Sequence, residues 1–229
     1  MKLIKALLFV LATTMGAAAH ATVTTVLDTS HVTRIPGVVG YTTNGAQMDG
    51  MSVTAVFSGG FSQTLLWKDI SATTGGVTGN GWSLSVNGDT FATPWNFVIG
   101  AGRGQLQSFI LDASAIGQVS LFDTTFNGAE GTPNSASGRT FSFVGCNGCD
   151  AIATYSNAAA VGTKAAVGDI FHTLSVRFTS GAPATSFSFY QDSDNDSRIV
   201  TGFAVPEPGS LPLLALAFLG MGVALRRRA

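Results

Sequence analysis

The sequence predicts an all-β protein, an antiparallel β-sandwich or jelly-roll-like domain. Three observations carry that prediction. Apolar and polar residues alternate with a period of two in several short stretches, as they do in strands with one buried and one wet face. Turn-forming pairs separate the stretches: Asn44-Gly45, Gly59-Gly60, Asn80-Gly81, Asn87-Gly88, Asn127-Gly128 and Asn147-Gly148. Asn-Gly supplies the positive φ that tight hairpins require. Glycine, with 28 residues, and the small polar residues dominate, while charged residues make up only 11% of the chain.

In chain order, the first segment stands apart from that fold. Lys2 and Lys5 form a positive n-region, residues 3–12 an apolar h-region, and Ala19-His20-Ala21 an A-x-A cleavage site. Together they make residues 1–21 a secretory signal peptide, cut after Ala21 and addressed to the Sec translocon. No arginine precedes Arg34, which excludes a transit peptide.

Residues 22–204 form the exported β-rich domain. Met51, Val53, Ala55 and Phe57 share one strand face, opposite Ser52, Thr54 and Ser58. Phe61, Leu65 and Trp67 form a second set, and Trp82, Leu84 and Val86 a third. Leu174, Val176 and Phe178 alternate with Thr173, Ser175 and Arg177, and Phe187 and Phe189 with Ser186 and Ser188. Several short strands at this spacing read as a sandwich. Residues 112–118 and 157–167 are the two places predicted to form a helical turn.

The exported domain is acidic and sparsely charged. Of twelve Lys and Arg, two lie in the signal peptide and three at the C-terminus; of thirteen Asp and Glu, only Glu207 lies outside. Seven bases against twelve acids leave a net charge of −5. No basic patch exists to neutralise phosphates, so nucleic acid is excluded as a partner.

Residues 205–229 have three parts. Pro206 and Pro208 lack an N–H and push the residues before them into extended conformation, so no helix runs through the Val-Pro-Glu-Pro-Gly segment. Residues 211–225 are apolar all round, and Pro212 falls in the first turn of the predicted helix, where proline is tolerated. Those fifteen residues make about 22 Å of helix against a hydrocarbon core of about 30 Å, short for a permanent anchor. Arg226, Arg227 and Arg228 follow and belong on the cytoplasmic side. A plain C-terminal anchor is the alternative reading.

The order Val-Pro-Glu-Pro, short apolar helix, arginine cluster and chain end resembles the PEP-CTERM sorting signal of Gram-negative bacteria. The resemblance implies processing by an exosortase, an integral-membrane cysteine enzyme. Its recognition residues would be Pro206, Glu207 and Pro208, with Arg226, Arg227 and Arg228 as the stop. It implies transient insertion into the inner membrane by the C-terminal helix and export to the periplasm, the outer cell surface or the extracellular matrix. Gly131-Thr132-Pro133, Gly138-Arg139-Thr140-Phe141, Ala153-Thr154-Tyr155-Ser156-Asn157 and Val167-Gly168-Asp169 also resemble segments of exported domains that carry this tail, which are assumed to be β-rich.

Five constellations bear on chemistry. Cys146 and Cys149 flank Asn147-Gly148; an oxidising compartment favours a disulfide stapling that turn, with a redox pair or free thiols as alternatives. A structural zinc site fails for want of a second cysteine pair. Asp192, Asp194 and Asp196 place oxygens at positions one, three and five, as a calcium loop does. Ser197 and Ala204 replace the EF-hand Gly and Glu, so the readings are a non-EF calcium loop between two strands or a solvated acidic hairpin turn. His172 shares a strand face with Leu174 and reads as a core residue. Gly100-Ala101-Gly102-Arg103-Gly104 matches neither nucleotide-binding fingerprint and reads as a loop. No G-x-S-x-G occurs, so a nucleophile elbow is unsupported. Among Trp67, Trp82, Trp95, Tyr41, Tyr155 and Tyr190, a sugar-stacking platform competes with burial in the core.

The expected function is that of an exported, non-enzymatic surface or matrix protein, sorted by an exosortase-type enzyme and associated with exopolysaccharide or biofilm. It is expected to need no cofactor, with calcium as the one candidate. A lectin-like sandwich, calcium-dependent or not, is the alternative, and a secreted hydrolase a third reading.

Overall fold

A computed structural model describes residues 20–39, 43–114, 120–124, 132, 135 and 138–197. Most of the expected signal peptide, residues 1–21, and all of the expected sorting segment, residues 205–229, lie outside the described residues.

Along the chain the strands are β1 Thr22–Leu27, β2 Val32–Ile35 and β3 Val38–Val39, then the 3-10 helix Gly45–Met48, then β4 Ser52–Phe57, β5 Ser62–Leu66, β6 Lys68–Asp69, β7 Thr74–Gly79 and β8 Trp82–Asn87. They continue as β9 Trp95–Ile99, β10 Leu106–Asp112, β11 Ser120–Asp123, β12 Ser142–Val144, β13 Asp150–Val161, β14 Ile170–Ser180, β15 Phe187–Tyr190 and β16 Asp192–Asp196. Alternation is read out directly: β4 and β8 bury every second residue. Gly59 and Gly60, at φ 84° and 82°, turn β4 into β5, and Gly81, at φ 74°, turns β7 into β8.

Two sheets result, of ten and six strands among the described residues. The smaller is antiparallel throughout, in the order β12-β15-β9-β8-β7-β6. The larger is built around β14. Residues 173–177 of β14 pair with β10, and residues 170–171 with β11. β10 and β11 thus lie end to end along one edge of β14, with β13 along the other. Outward from β10 come β4 and β5, and outward from β11 come β16 and β3.

The inner faces meet in an aromatic core. Phe109 of the larger sheet lies 5.6 Å from Phe97 and 5.4 Å from Phe189 of the smaller, ring centre to ring centre. Phe57 meets Trp82 at 6.4 Å, and Phe178 meets Phe187 edge-on at 5.8 Å. This is the predicted all-β sandwich.

Two local expectations are corrected, and a third falls largely outside the described residues. Residues 157–167 do not form a helical turn: up to Val161 they belong to β13, where residues 158–161 pair with β2 and Ala158 also pairs with Phe171 of β14. Ala158, Ala159 and Ala160 have high intrinsic helix propensity, but sheet pairing and burial override it. Of residues 112–118, Asp112 ends β10 and its carboxylate accepts from the backbone N–H of Ser114 at 2.9 Å; residues 115–119 lie outside the described residues. Asn44-Gly45 starts the 3-10 helix rather than a hairpin, with the Asn44 side chain accepting from the N–H of Ala46 at 2.9 Å.

The sheets are also not wholly antiparallel. β1 runs parallel to residues 150–155 of β13, and β2 runs parallel to residues 158–161. One N-terminal segment, broken by a turn in which Asp28 accepts from the N–H of Ser30 at 2.9 Å, therefore covers the outer edge of β13. Covering an edge that would otherwise offer free N–H and C=O groups is one way sheets avoid pairing with other chains.

Candidate functional site

The polar centre of the molecule is where sequence and structure differ most. Asp192, Ser193, Asp194, Asn195 and Asp196 are not a solvated loop. They form β16, every residue of it buried, between β11 and β3. Register sets what the acids face: Asp192 lies opposite Asp123, and Asp194 opposite Leu121. Residues of one parity share a sheet face, so Asp192 and Asp194 converge with Asp123. One carboxylate oxygen from each of these three lies within 4.8 Å of the other two. Asp196 is fully buried but is not one of that group.

Hydrogen bonds hold the cluster from several directions. Thr90, between β8 and β9, donates its hydroxyl to Asp192 at 3.0 Å and accepts from the N–H of Ser193 at 3.0 Å. Ser135 donates to Oδ2 of Asp123 and also bonds Asp194. Asp169, just before β14, bonds Thr132 and accepts through its backbone carbonyl from Thr124. Gln191 joins the cluster to the core: its side-chain N–H donates to the Asp192 carbonyl at 2.7 Å, its side-chain oxygen accepts from Tyr155 Oη, and its carbonyl accepts from Trp95 Nε1 at 2.8 Å.

The electrostatics follow from burial and like charge. Asp123 is only 2% exposed. Burial, opposed by the Ser135 bond and reinforced by Asp194, Asp169 and Asp192, pushes its carboxyl up to about 8. Burial raises Asp194 to about 7, with Asp192 and Asp169 adding to it. Asp192 rises to about 6, mainly by burial, held back by Thr90, by the N–H of Ser193 and by the positive charge of Arg139. Burial raises Asp169 as well. Desolvation penalises a charged carboxylate, and each neighbouring acid adds to the cost.

The other predicted residues fall elsewhere. The Cys146 and Cys149 sulfurs are bonded, with Cα atoms 5.6 Å apart, in the turn before β13. Their turn anchors the chain's first strand, since the N–H of Thr22 donates to the carbonyl of Cys149 at 3.0 Å. His172 is fully buried on the Leu174 face of β14. Trp67, Trp95 and Tyr155 are fully buried and Trp82 nearly so. Each indole N–H is satisfied inside, by Gly45 O, Gln63 Oε1 and Gln191 O respectively for Trp67, Trp82 and Trp95. Tyr190 is half-buried under the guanidinium of Arg139, 3.2 Å above its ring. None of these five is an open stacking platform, and Tyr41 lies outside the described residues. Pro206, Glu207, Pro208 and Arg226 to Arg228 also lie outside them, and among the described residues no helix is long and apolar enough to cross a membrane.

Sequence reading missed Asp123, Ser135, Thr90 and Gln191. Only the strand register, set by the fold, brings Asp123 to the acidic strand. The one available signal was the apolar Leu121 and Phe122 before Asp123, which marks the end of a strand.

Comparison with known proteins bears on the other end of the chain. Residues 204–228 match the family of the PEP-CTERM protein-sorting motif. No curated protein and no solved structure matches the chain. The motif implies an exported protein of the cell envelope or extracellular space of a Gram-negative bacterium, with an exosortase-type enzyme as processing partner.

Proposed function

We propose that the chain is a non-enzymatic surface or extracellular-matrix protein, exported through Sec and handed to an exosortase-type enzyme by its C-terminal tail. One observation carries this reading: the sorting motif at residues 204–228 stands behind a β-domain whose last described strand ends at Asp196. The domain is exported first. The fifteen apolar residues then pause in the inner membrane, with Arg226, Arg227 and Arg228 on the cytoplasmic side. The extended segment at Pro206, Glu207 and Pro208 is presented to the processing enzyme. The displayed domain then works in the exopolysaccharide layer or biofilm.

Burial of His172, the domain's one histidine with a strand-face position in the core, supports a non-catalytic role. Burial of the three tryptophans weighs against the lectin-like alternative, because stacking on sugar needs an exposed ring face. Substituting Ala for Pro206, Glu207 and Pro208 tests the sorting step in the native cell. Retention of the unprocessed chain in the inner membrane is the expected result, and unchanged processing and release would remove the proposal.

A further inference from the structure

We propose that Asp123, Asp192 and Asp194 hold a hard divalent cation of the calcium type, clamping β16 to β11. Two oxygens on one calcium, each about 2.4 Å away, are at most about 4.8 Å apart. The three carboxylate oxygens meet that limit pairwise, so a single ion can touch all three. The donor set is all oxygen, the chemistry that calcium, magnesium and manganese select over softer metals.

A second observation points to a ligand. Asp123 is 2% exposed, yet its Oδ1 has no hydrogen-bond partner among the described residues. Ser135 occupies only Oδ2. A buried carboxylate oxygen without a donor is costly, and a cation would supply what the described residues do not. Gly138 packs its backbone closely against Asp123, since a methyl there would lie 2.4 Å from Oδ1. The described groups acting on Asp123 are the Ser135 hydroxyl and three further carboxylates, Asp169, Asp192 and Asp194.

The reading differs from an alternate-aspartate loop along one stretch of chain. Two ligands come from β16 and the third from β11, so the ion is a cross-strand clamp. Its place in the chain gives it a consequence. Extracellular modules bind calcium at about 10⁻⁴–10⁻³ M, above cytosolic levels. The clamp on the last described strand therefore closes after export, a few residues ahead of the sorting motif that starts at 204. The inference stands independently of the sorting proposal, and its test uses no processing enzyme.

The test is thermal unfolding of the full-length chain in mild detergent, in chelator and in calcium chloride. The expected result is a rise in Tm on the order of 5 °C at saturating calcium, half-complete at about 10⁻⁴–10⁻³ M. Asp123→Asn removes the rise, while its Tm in chelator is no lower than that of the wild type, because one of the mutually repelling buried charges is gone. Asp196→Asn keeps the rise. If Asp123→Asn fails to fold, Asp194→Asn is read in the same way. Absence of a Tm shift with calcium, manganese and magnesium overturns the proposal, as does a calcium shift that survives both Asp123→Asn and Asp194→Asn.

Discussion

Replacing Gly75 by Ala tests the packing that leads from the small sheet to the acidic cluster. Gly75 lies in β7, opposite Val86 and Asp69, with the 3-10 helix pressed on its backbone. A methyl there would sit 1.9 Å from the Gly45 carbonyl oxygen and 2.3 Å from Trp67 Nε1. Those two atoms form a buried hydrogen bond of 2.8 Å, so the methyl would push them apart. Leaving a buried donor or acceptor unpaired costs about 1–3 kcal/mol, and overpacking a further ~1–3 kcal/mol. Together these make a loss of about 2–6 kcal/mol, against a total stability of about 5–15 kcal/mol. The expected fall in Tm is on the order of 10 °C. Trp67 also packs against Trp95 at 5.2 Å, and Trp95 donates to Gln191 beside Asp192, so tryptophan fluorescence should report the change. Gly60→Ala is the comparison: its φ is positive, at 82°, unlike that of Gly75, and no atom lies within 4 Å of the added methyl. Backbone strain alone costs about 1–2 kcal/mol there. Urea unfolding followed by fluorescence measures both variants. If Gly75→Ala costs no more than Gly60→Ala, the close approach of helix and strand is not what holds this end of the sandwich.

Three more predictions follow from particular groups. In chelator, stability falls as pH rises from about 5 to about 8.5: Asp192, Asp194 and Asp123 titrate near 6, 7 and 8 in the fold, far above the ordinary carboxylate value. The stabilising protonated form is thus complete at low pH and lost as pH passes the folded values. Asp169 and Asp89 add to the repulsion and Arg139 opposes it; a Tm that rises over this window would show that the carboxylates are not buried together. Reducing Cys146–Cys149, which closes a loop with a sequence separation of 3, costs about 2 kcal/mol by the loop-entropy relation, read as a lower urea midpoint; an unchanged midpoint would assign the turn to its backbone bonds alone. Because Trp67, Trp82 and Trp95 are buried, acrylamide quenches their fluorescence weakly and added oligosaccharide leaves it unchanged; strong quenching relieved by a sugar would reopen the lectin-like reading.

The architecture was legible because alternation is a local property. Met51, Val53, Ala55 and Phe57 announce the inner face of β4 without knowledge of any partner, and Gly59-Gly60 announces its hairpin. What escaped depends on distant chain. The alanines of β13 look helical until β14, β1 and β2 flank them. The parallel pairing of β1 and β2 leaves no trace in their own residues, since parallel partners are joined by long crossovers. The acidic strand was the largest departure. A run with aspartate at every second position reads as solvated, because burying such charge is expensive. Here hydrogen bonds from Thr90 to the Asp192 carboxylate and from Ser135 to that of Asp123 offset part of that cost, and neither residue is a sequence neighbour of the acidic strand. Period two was visible in Asp192, Asp194 and Asp196 as calcium-loop spacing. It proved to be strand spacing, with Asp123 as the third member of the cluster.

On the proposed sorting route the β-domain is exported and released from its tail at the Pro-Glu-Pro segment. The intact mass of the protein recovered from the envelope or medium of its own cells tests it most directly. The expected mass runs from Thr22 to a residue at or near Pro206, Glu207 or Pro208, lacking Arg226, Arg227 and Arg228. A mass corresponding to Met1 through Ala229, found in a folded cytosolic form, would contradict it.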